Sequence, residues 1–184
     1  MEVSGLYVAM SDESAVKGTT LSMEENSGRG LQRFYISKTT AVSAPFDGTR
    51  AVKASKNKNY AVSIASASKE DGANVNLAAY NNSNDKKFNI IYSGGGYYRL
   101  VNANSKLVLT VEGNTKTNGA NVIQSEWAGE SGQRWKFTKN ADGTVTLTNA
   151  LGTVLHLNGN STTNGANILA KNASTTGAQK WYLQ

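Results

Sequence analysis

Trp127 and Tyr80 are rings set in polar loops, "SEWAGESG" and "AYNNSND", each eight residues after a glycine, Gly119 and Gly72. A flat ring among hydrogen-bonding groups serves either as a platform for the apolar face of a sugar or as a plug over the edge of a packed unit. For Tyr80 the plug is the plainer reading. For Trp127 the two readings stand level, because Gln124, Glu126 and Glu130 supply polar groups beside it. The one histidine, His156, lies between Leu155 and Leu157. On a strand it faces away from both, toward a surface or an interface. No HExxH, Walker, GxSxG or dinucleotide fingerprint occurs, and "SGGGYY" opens a strand and reads as a turn. The chemistry on offer is recognition, with no catalytic residue, no metal ligand set and no cofactor implied.

Composition narrows the partners. The 184 residues contain no cysteine, which excludes disulfides, thiolate metal sites and a cysteine nucleophile together. The formal charge is +6, with a local run at Arg50, Lys53, Lys56 and Lys58. That run suits sialylated, sulfated or cell-wall glycans, although lysines along a solvated strand edge are also a common guard against edge pairing. The basic residues are otherwise spread out, and no recognition helix or RNA-binding aromatic motif is present, so nucleic acid is not an expected partner. No apolar run is long enough to span a membrane. The opening "MEVSGLYVAM" lacks the regions of a signal peptide, so a secreted protein would be represented here by a mature or excised piece.

The elements that must position these residues are announced by a repeat. Gly18, Gly72, Gly119 and Gly165 each precede an aromatic by sixteen residues: Phe34, Phe88, Trp135 and Trp181. Three residues after each glycine stand Leu21, Val75, Val122 and Ile168, and two after each aromatic stand Ile36, Ile90, Phe137 and Leu183. Val8 and Met10, Val62 and Ile64, Leu109 and Val111, and Leu155 and Leu157 fill the offsets ten and eight residues before the glycines. Apolar residues at so many equivalent offsets make an internal repeat with glycine steps of 54, 47 and 46 residues. Within a unit, runs such as "LVLTV" and "RWKFT" are β-branched or aromatic and are separated by turn-forming segments. The glycine of "TNGAN" occurs where a tight turn requires positive φ.

Four strands per unit fit a propeller blade or a trefoil lobe, and three complete units favour the threefold solution, because propellers typically need four to eight blades. The expected fold is therefore all-β, a β-trefoil of three four-stranded lobes at about residues 45–92, 93–140 and 141–184. A partial extra lobe and linker over residues 1–44 would be the tail of a preceding unit in a tandem array, with Pro45 at the join.

Gln133-Arg134-Trp135 and Gln179-Lys180-Trp181, with weaker copies Gln32-Arg33-Phe34 and Lys86-Lys87-Phe88, resemble the Gln-x-Trp repeat of ricin-B-type β-trefoil lectins. "NGANVIQ" and "NGANILA" are similar to the strand–turn–strand upstream of that signature in bacterial members. The resemblance implies a core role for Trp135 and Trp181. It also implies where sugar would sit. Galactose-binding members carry an aspartate on the second strand of an active lobe, where Ser63, Thr110 and His156 stand here, and a stacking aromatic where Ala78, Ser125 and Lys171 stand.

With those groups replaced, the expected carbohydrate-binding residues are Trp127, Glu112, Gln124, Glu126, Tyr80 and His156. Glu112, two residues beyond the replaced acid, can stand in across the same cleft, though a solvated turn carboxylate is its plainer reading. The second lobe, residues 96–138, is the expected site, with weak binding strengthened by several lobes acting together. The function so read is a non-catalytic, lectin-like module that attaches a larger extracellular or cell-surface protein to glycans, with neighbouring trefoils as further partners. The alternative is a structural or protein-interaction trefoil whose sugar sites have decayed.

Overall fold

A computed structural model describes the backbone of residues 20–24 and 33–37 and the whole of residues 44–184. The chain divides into two compact units, Met1–Ala44 and Pro45–Gln184. In the first, β1 (Thr20–Glu24) and β2 (Arg33–Ser37) pair antiparallel, with Leu21 opposite Ile36. The expected strand around Val8 and Met10 lies outside the described residues.

The second unit is a β-trefoil. Lobe 1 comprises β3 (Gly48–Arg50) and β4 (Val52–Ala54), then β5 (Tyr60–Ile64), β6 (Val75–Ala79) and β7 (Phe88–Gly94). Lobe 2 follows with β8 (Tyr97–Asn102), β9 (Val108–Val111), β10 (Ala120–Ser125) and β11 (Trp135–Lys139). Lobe 3 has β12 (Val145–Asn149), β13 (Val154–Leu157), β14 (Ile168–Lys171) and β15 (Trp181–Leu183). The first strand of lobe 1 is thus broken at Ala51. It pairs on one side of the break with β7 and on the other with β15, and so closes the barrel β3/β4–β7–β8–β11–β12–β15. Ala51 and Gln184 exchange both backbone hydrogen bonds, at 2.7 and 3.1 Å, at that closure.

Hairpins β5–β6, β9–β10 and β13–β14 pack around the pseudo-threefold axis, and the repeated glycine joins them. Gly72 N–H donates to Gln124 O (2.9 Å), Gly119 N–H to Ala170 O (2.8 Å) and Gly165 N–H to Leu77 O (2.8 Å), each reaching the next lobe in cyclic order. All three have positive φ, 78°, 92° and 87°, a region that costs an L side chain about 1–2 kcal/mol. Two residues further along, Asn74, Asn121 and Asn167 close a ring on one another: Asn74 Nδ2 donates to Asn167, Asn167 Nδ2 to Asn121 and Asn121 Nδ2 to Asn74, at 2.9, 2.9 and 3.1 Å. The constant spacing read from the sequence is therefore the pitch of a closed three-part structure.

The three repeat aromatics fill the core, with Phe88 and Trp135 wholly buried and Trp181 1% exposed. The indole N–H of Trp135 donates to Leu109 O (2.9 Å) and that of Trp181 to Leu155 O (3.2 Å), so each satisfies its polar edge inside its own lobe. The glutamine two residues earlier ties down the preceding loop. Gln133 accepts from Ala128 N–H (2.8 Å) and donates to Glu126 O (2.6 Å), while Gln179 accepts from Ser174 N–H (2.7 Å) and donates to Asn172 O (2.8 Å).

Candidate functional site

Lobe 1 lacks that glutamine. Lys86 replaces it, and the residue before it is Asp85, where the other lobes have Gly132 and Ala178. A lysine has no acceptor for the loop's N–H groups, so the loop after β6 is held by its own side chains instead: Ser83 N–H bonds Asn81 Oδ1, and Tyr80 OH bonds Asn82 Oδ1. Between this loop and the β5–β6 hairpin lies a cleft of about 450 Å³. Asp85 lines it at 7% exposure, together with Ser63, Asn76, Ser83, Lys86 and, from the turn of lobe 3, Asn164.

Asp85 is bonded from both walls. Its Oδ2 accepts from Ser63 Oγ (3.0 Å) and Lys86 Nζ (2.8 Å), and its Oδ1 accepts from Ser83 Oγ. Burial pushes its pKa up, but the hydrogen bonds from Lys86, Ser83 and Ser63 outweigh burial and hold the carboxyl below its ordinary value. It is an anion with an acceptor site still open on Oδ1. Lys86 uses donors on Asp85 and Ser83 (3.1 Å) and retains a third. Asn76 Oδ1, also at the cleft, is buried and accepts from nothing. Acceptor, donor and unsatisfied acceptor in one concavity match the paired donor and acceptor character of neighbouring sugar hydroxyls.

The rim explains why lobe 1 is open. Ser66 and Ala67 adopt positive φ, 55° and 50°, where lobes 2 and 3 use Gly113-Asn114 and Gly159-Asn160. In lobe 2, Asn114 Oδ1 reaches across to accept Gly132 N–H at 2.8 Å. A Cβ on Gly132 would lie 3.1 Å from that oxygen and 3.2 Å from Val111, so an acid there has no room. Ala67 is too short to bridge lobe 1, and the space stays free.

The six residues read from the sequence do not converge. Gln124 is completely buried, accepts from Ser105 Oγ (2.7 Å) and donates to Ser68 O (3.1 Å) and Glu70 O (2.8 Å). Its amide is consumed in joining lobes 1 and 2, which corrects its reading as a ligand-facing group. Tyr80 carries Lys53 Nζ 4.0 Å over its ring and does not line the cleft. Glu112 is exposed in a 3-10 turn, Glu112–Asn114. Glu126 is exposed, its N–H held by Asp71 Oδ1 at 3.0 Å. Trp127 is 37% exposed, with the Arg99 guanidinium 5.1 Å from its ring centre. His156 is half-buried on β13 with Nδ1 buried and unpartnered. Asp85 is the group that sequence reasoning missed. Its signal was present three residues before Phe88, where the equivalent positions are Gly and Ala.

The sequence matches the ricin-type beta-trefoil lectin domain-like family over residues 45–127, 84–171 and 131–184, so the three matches together run through the whole trefoil. The chain belongs to the ricin-type β-trefoil lectin domain-like family. Among solved structures, this family member is similar to the designed threefold-symmetric protein ThreeFoil, at 33% identity and TM-score 0.72 over 74% of this chain and 98% of that one. The fold also matches the ricin B-like lectin of Macrolepiota procera, solved with lactose, at 17% identity and TM-score 0.65 over 79% and 99% of the two chains. It matches the exo-β-1,3-galactanase of Clostridium thermocellum at 23% identity and TM-score 0.71, where 81% of this chain covers 32% of the enzyme. No curated protein matches the sequence.

Proposed function

We propose that this lectin-family domain is a non-catalytic carbohydrate-binding module that attaches a larger extracellular or cell-surface protein to glycans, and that lobe 1 holds the sugar. The observation that carries the reading is the Asp85–Ser63 bond across a cleft that also contains the unsatisfied Asn76 Oδ1. Relatives with this fold support it, one being a lectin solved with lactose and another a lectin of Polyporus squamosus bound to a sialylated epitope. The carboxylate a galactose-like sugar requires comes from the loop wall, with a serine on the strand, so the two walls have exchanged roles. No ring lines the cleft, so the sugar is held by hydrogen bonds rather than by stacking. Trp127, Glu112, Glu126, Tyr80 and His156 lie outside it. Lobe 1 therefore replaces lobe 2 as the proposed site.

A glycan screen followed by titration calorimetry tests this. The expected result is one weak site per chain for a neutral saccharide. Asp85→Asn removes a charge-assisted bond of about 1.5–3 kcal/mol, which lowers affinity roughly 10–100-fold, and Asn76→Leu weakens the same site. A folded protein that binds no saccharide at millimolar concentration, or binds equally well as Asp85→Asn, would sink the assignment and leave the protein-interaction reading.

A further inference from the structure

The two large apolar residues exposed among the described residues, Ile91 and Trp127, flank one arginine. Ile91 is the cross-strand partner of Arg99, and the Arg99 guanidinium stands 5.1 Å from the ring centre of Trp127. Tyr98 pairs with Trp135 across β8 and β11, and both rings point into the core. Arg99, the residue after Tyr98, and Arg134, the residue just before β11, are therefore neighbours on the outward face. Arg134 lies 5.0 Å from the ring centre of Tyr97, and Lys136, the next outward residue of β11, adds a third cation to that face.

Like charges directly opposite one another destabilise a sheet, and a pair of this kind is ordinarily balanced by an acid. Here neither arginine forms an ion pair among the described residues. The outward positions of β7, β8 and β11 carry no carboxylate, and the closest acid along the chain to Arg134 is Glu130, four residues before it. The Nε of each arginine is buried without an acceptor, and each guanidinium stands against an aromatic ring, Arg99 against Trp127 and Arg134 against Tyr97. An arginine on an aromatic is preorganised for a planar or tetrahedral oxyanion, and the ring beside it offers an apolar surface.

From this geometry we infer a second ligand site, on the outer face of the barrel at β7, β8 and β11, that takes the sulfate or carboxylate group of an acidic saccharide. Arg99 and Arg134 bind the oxyanion, while Trp127 and Ile91 contact the sugar ring that carries it. The site names an acidic glycan as a ligand class within the carbohydrate-binding reading, and it uses no residue of the lobe 1 cleft. Trp127 becomes part of a cationic site rather than a bare platform.

Trp127 provides the readout. Trp135 and Trp181 are buried with their indoles bonded to backbone carbonyls, so a change in emission on ligand addition reports on Trp127. The full chain is titrated with sodium sulfate, a sulfated disaccharide, a uronic-acid disaccharide and the uncharged parent disaccharide, with sodium chloride holding ionic strength constant. The expected result is a saturable emission change with sulfate and with at least one acidic disaccharide, the disaccharide tighter than the free ion, and none with the uncharged sugar. Arg134→Gln, which leaves the Arg99–Trp127 pair in place, should weaken it at least tenfold, and Arg99→Gln should abolish it. Near-ultraviolet circular dichroism verifies that each variant keeps the native core. Asp85→Asn should leave the acidic response intact, while the arginine variants should leave neutral-sugar binding intact, so each site can fail alone. The proposal is overturned if no saturable response occurs, if the uncharged disaccharide gives the same response, or if a folded Arg134→Gln variant responds as the wild type does.

Discussion

Asp85 and Lys86 stand where the other lobes have Gly132-Gln133 and Ala178-Gln179, and this exchange converts a loop staple into a charged cleft wall. The cost is the lost glutamine tie, and the gain is a carboxylate held below its ordinary pKa, because the bonds from Lys86, Ser83 and Ser63 outweigh the opposing effect of burial. His156 shows the opposite electrostatics on lobe 3. Burial first, and Lys171 second, push its pKa below the ordinary histidine value, so the fold favours the neutral ring. Its contribution is complete above the unfolded value of about 6.5 and is lost as pH falls through the lower folded value. Because His156 is the chain's one histidine, denaturant midpoints at pH 7.5 and 5.5 isolate it: the wild type should lose more stability over that interval than His156→Gln. Asp85 and Asp142, both with lowered values, titrate below this window and do not confuse the comparison. Equal losses in the two proteins would show that His156 is freely solvated.

At the scale of the element, each lobe repeats a wedge and a turn, and lobes 2 and 3 add a tie. The wedge is Phe88, Trp135 or Trp181, the tie is Gln133 or Gln179, and the turn is the glycine that donates to the next lobe. Trp135→Ala removes a fully buried side chain and orphans the carbonyl of Leu109, and should cost about 3–5 kcal/mol in urea or thermal unfolding. A loss within about 0.5 kcal/mol would place the ring at the surface. Trp135→Phe, which keeps much of the volume and loses the hydrogen bond, should fall between these. The apolar pairs that marked the core strands were legible because they are core residues: Leu109 and Val111, and Leu155 and Leu157, are all within 1% of full burial. The break at Ala51 was not legible, since it arises where one strand must pair with β7 on one side and with β15 on the other to close the barrel.

For the whole molecule, the unit Pro45–Gln184 contains the closed barrel and all three hairpins. Deleting residues 1–40 should therefore leave a chain with a single cooperative unfolding transition by calorimetry. Loss of that transition would place the deleted segment in the trefoil's core. The sequence by itself determined the β-trefoil, its three lobes and their wedges, because a fold closed by threefold repetition must write the same apolar offsets into the chain three times. It did not disclose which lobe is open. That was decided where distant segments meet: Ser63 with Asp85 across the cleft, Asn114 with Gly132 across its blocked counterpart, and Gln124 between two lobes. The barrel face that sets Arg99 beside Arg134 is of the same kind, since strand register alone brings together two residues 35 positions apart. A periodic pattern records which side of a strand is buried, but a site depends on which side chains share a space after closure, and spacing along the chain carries no measure of that.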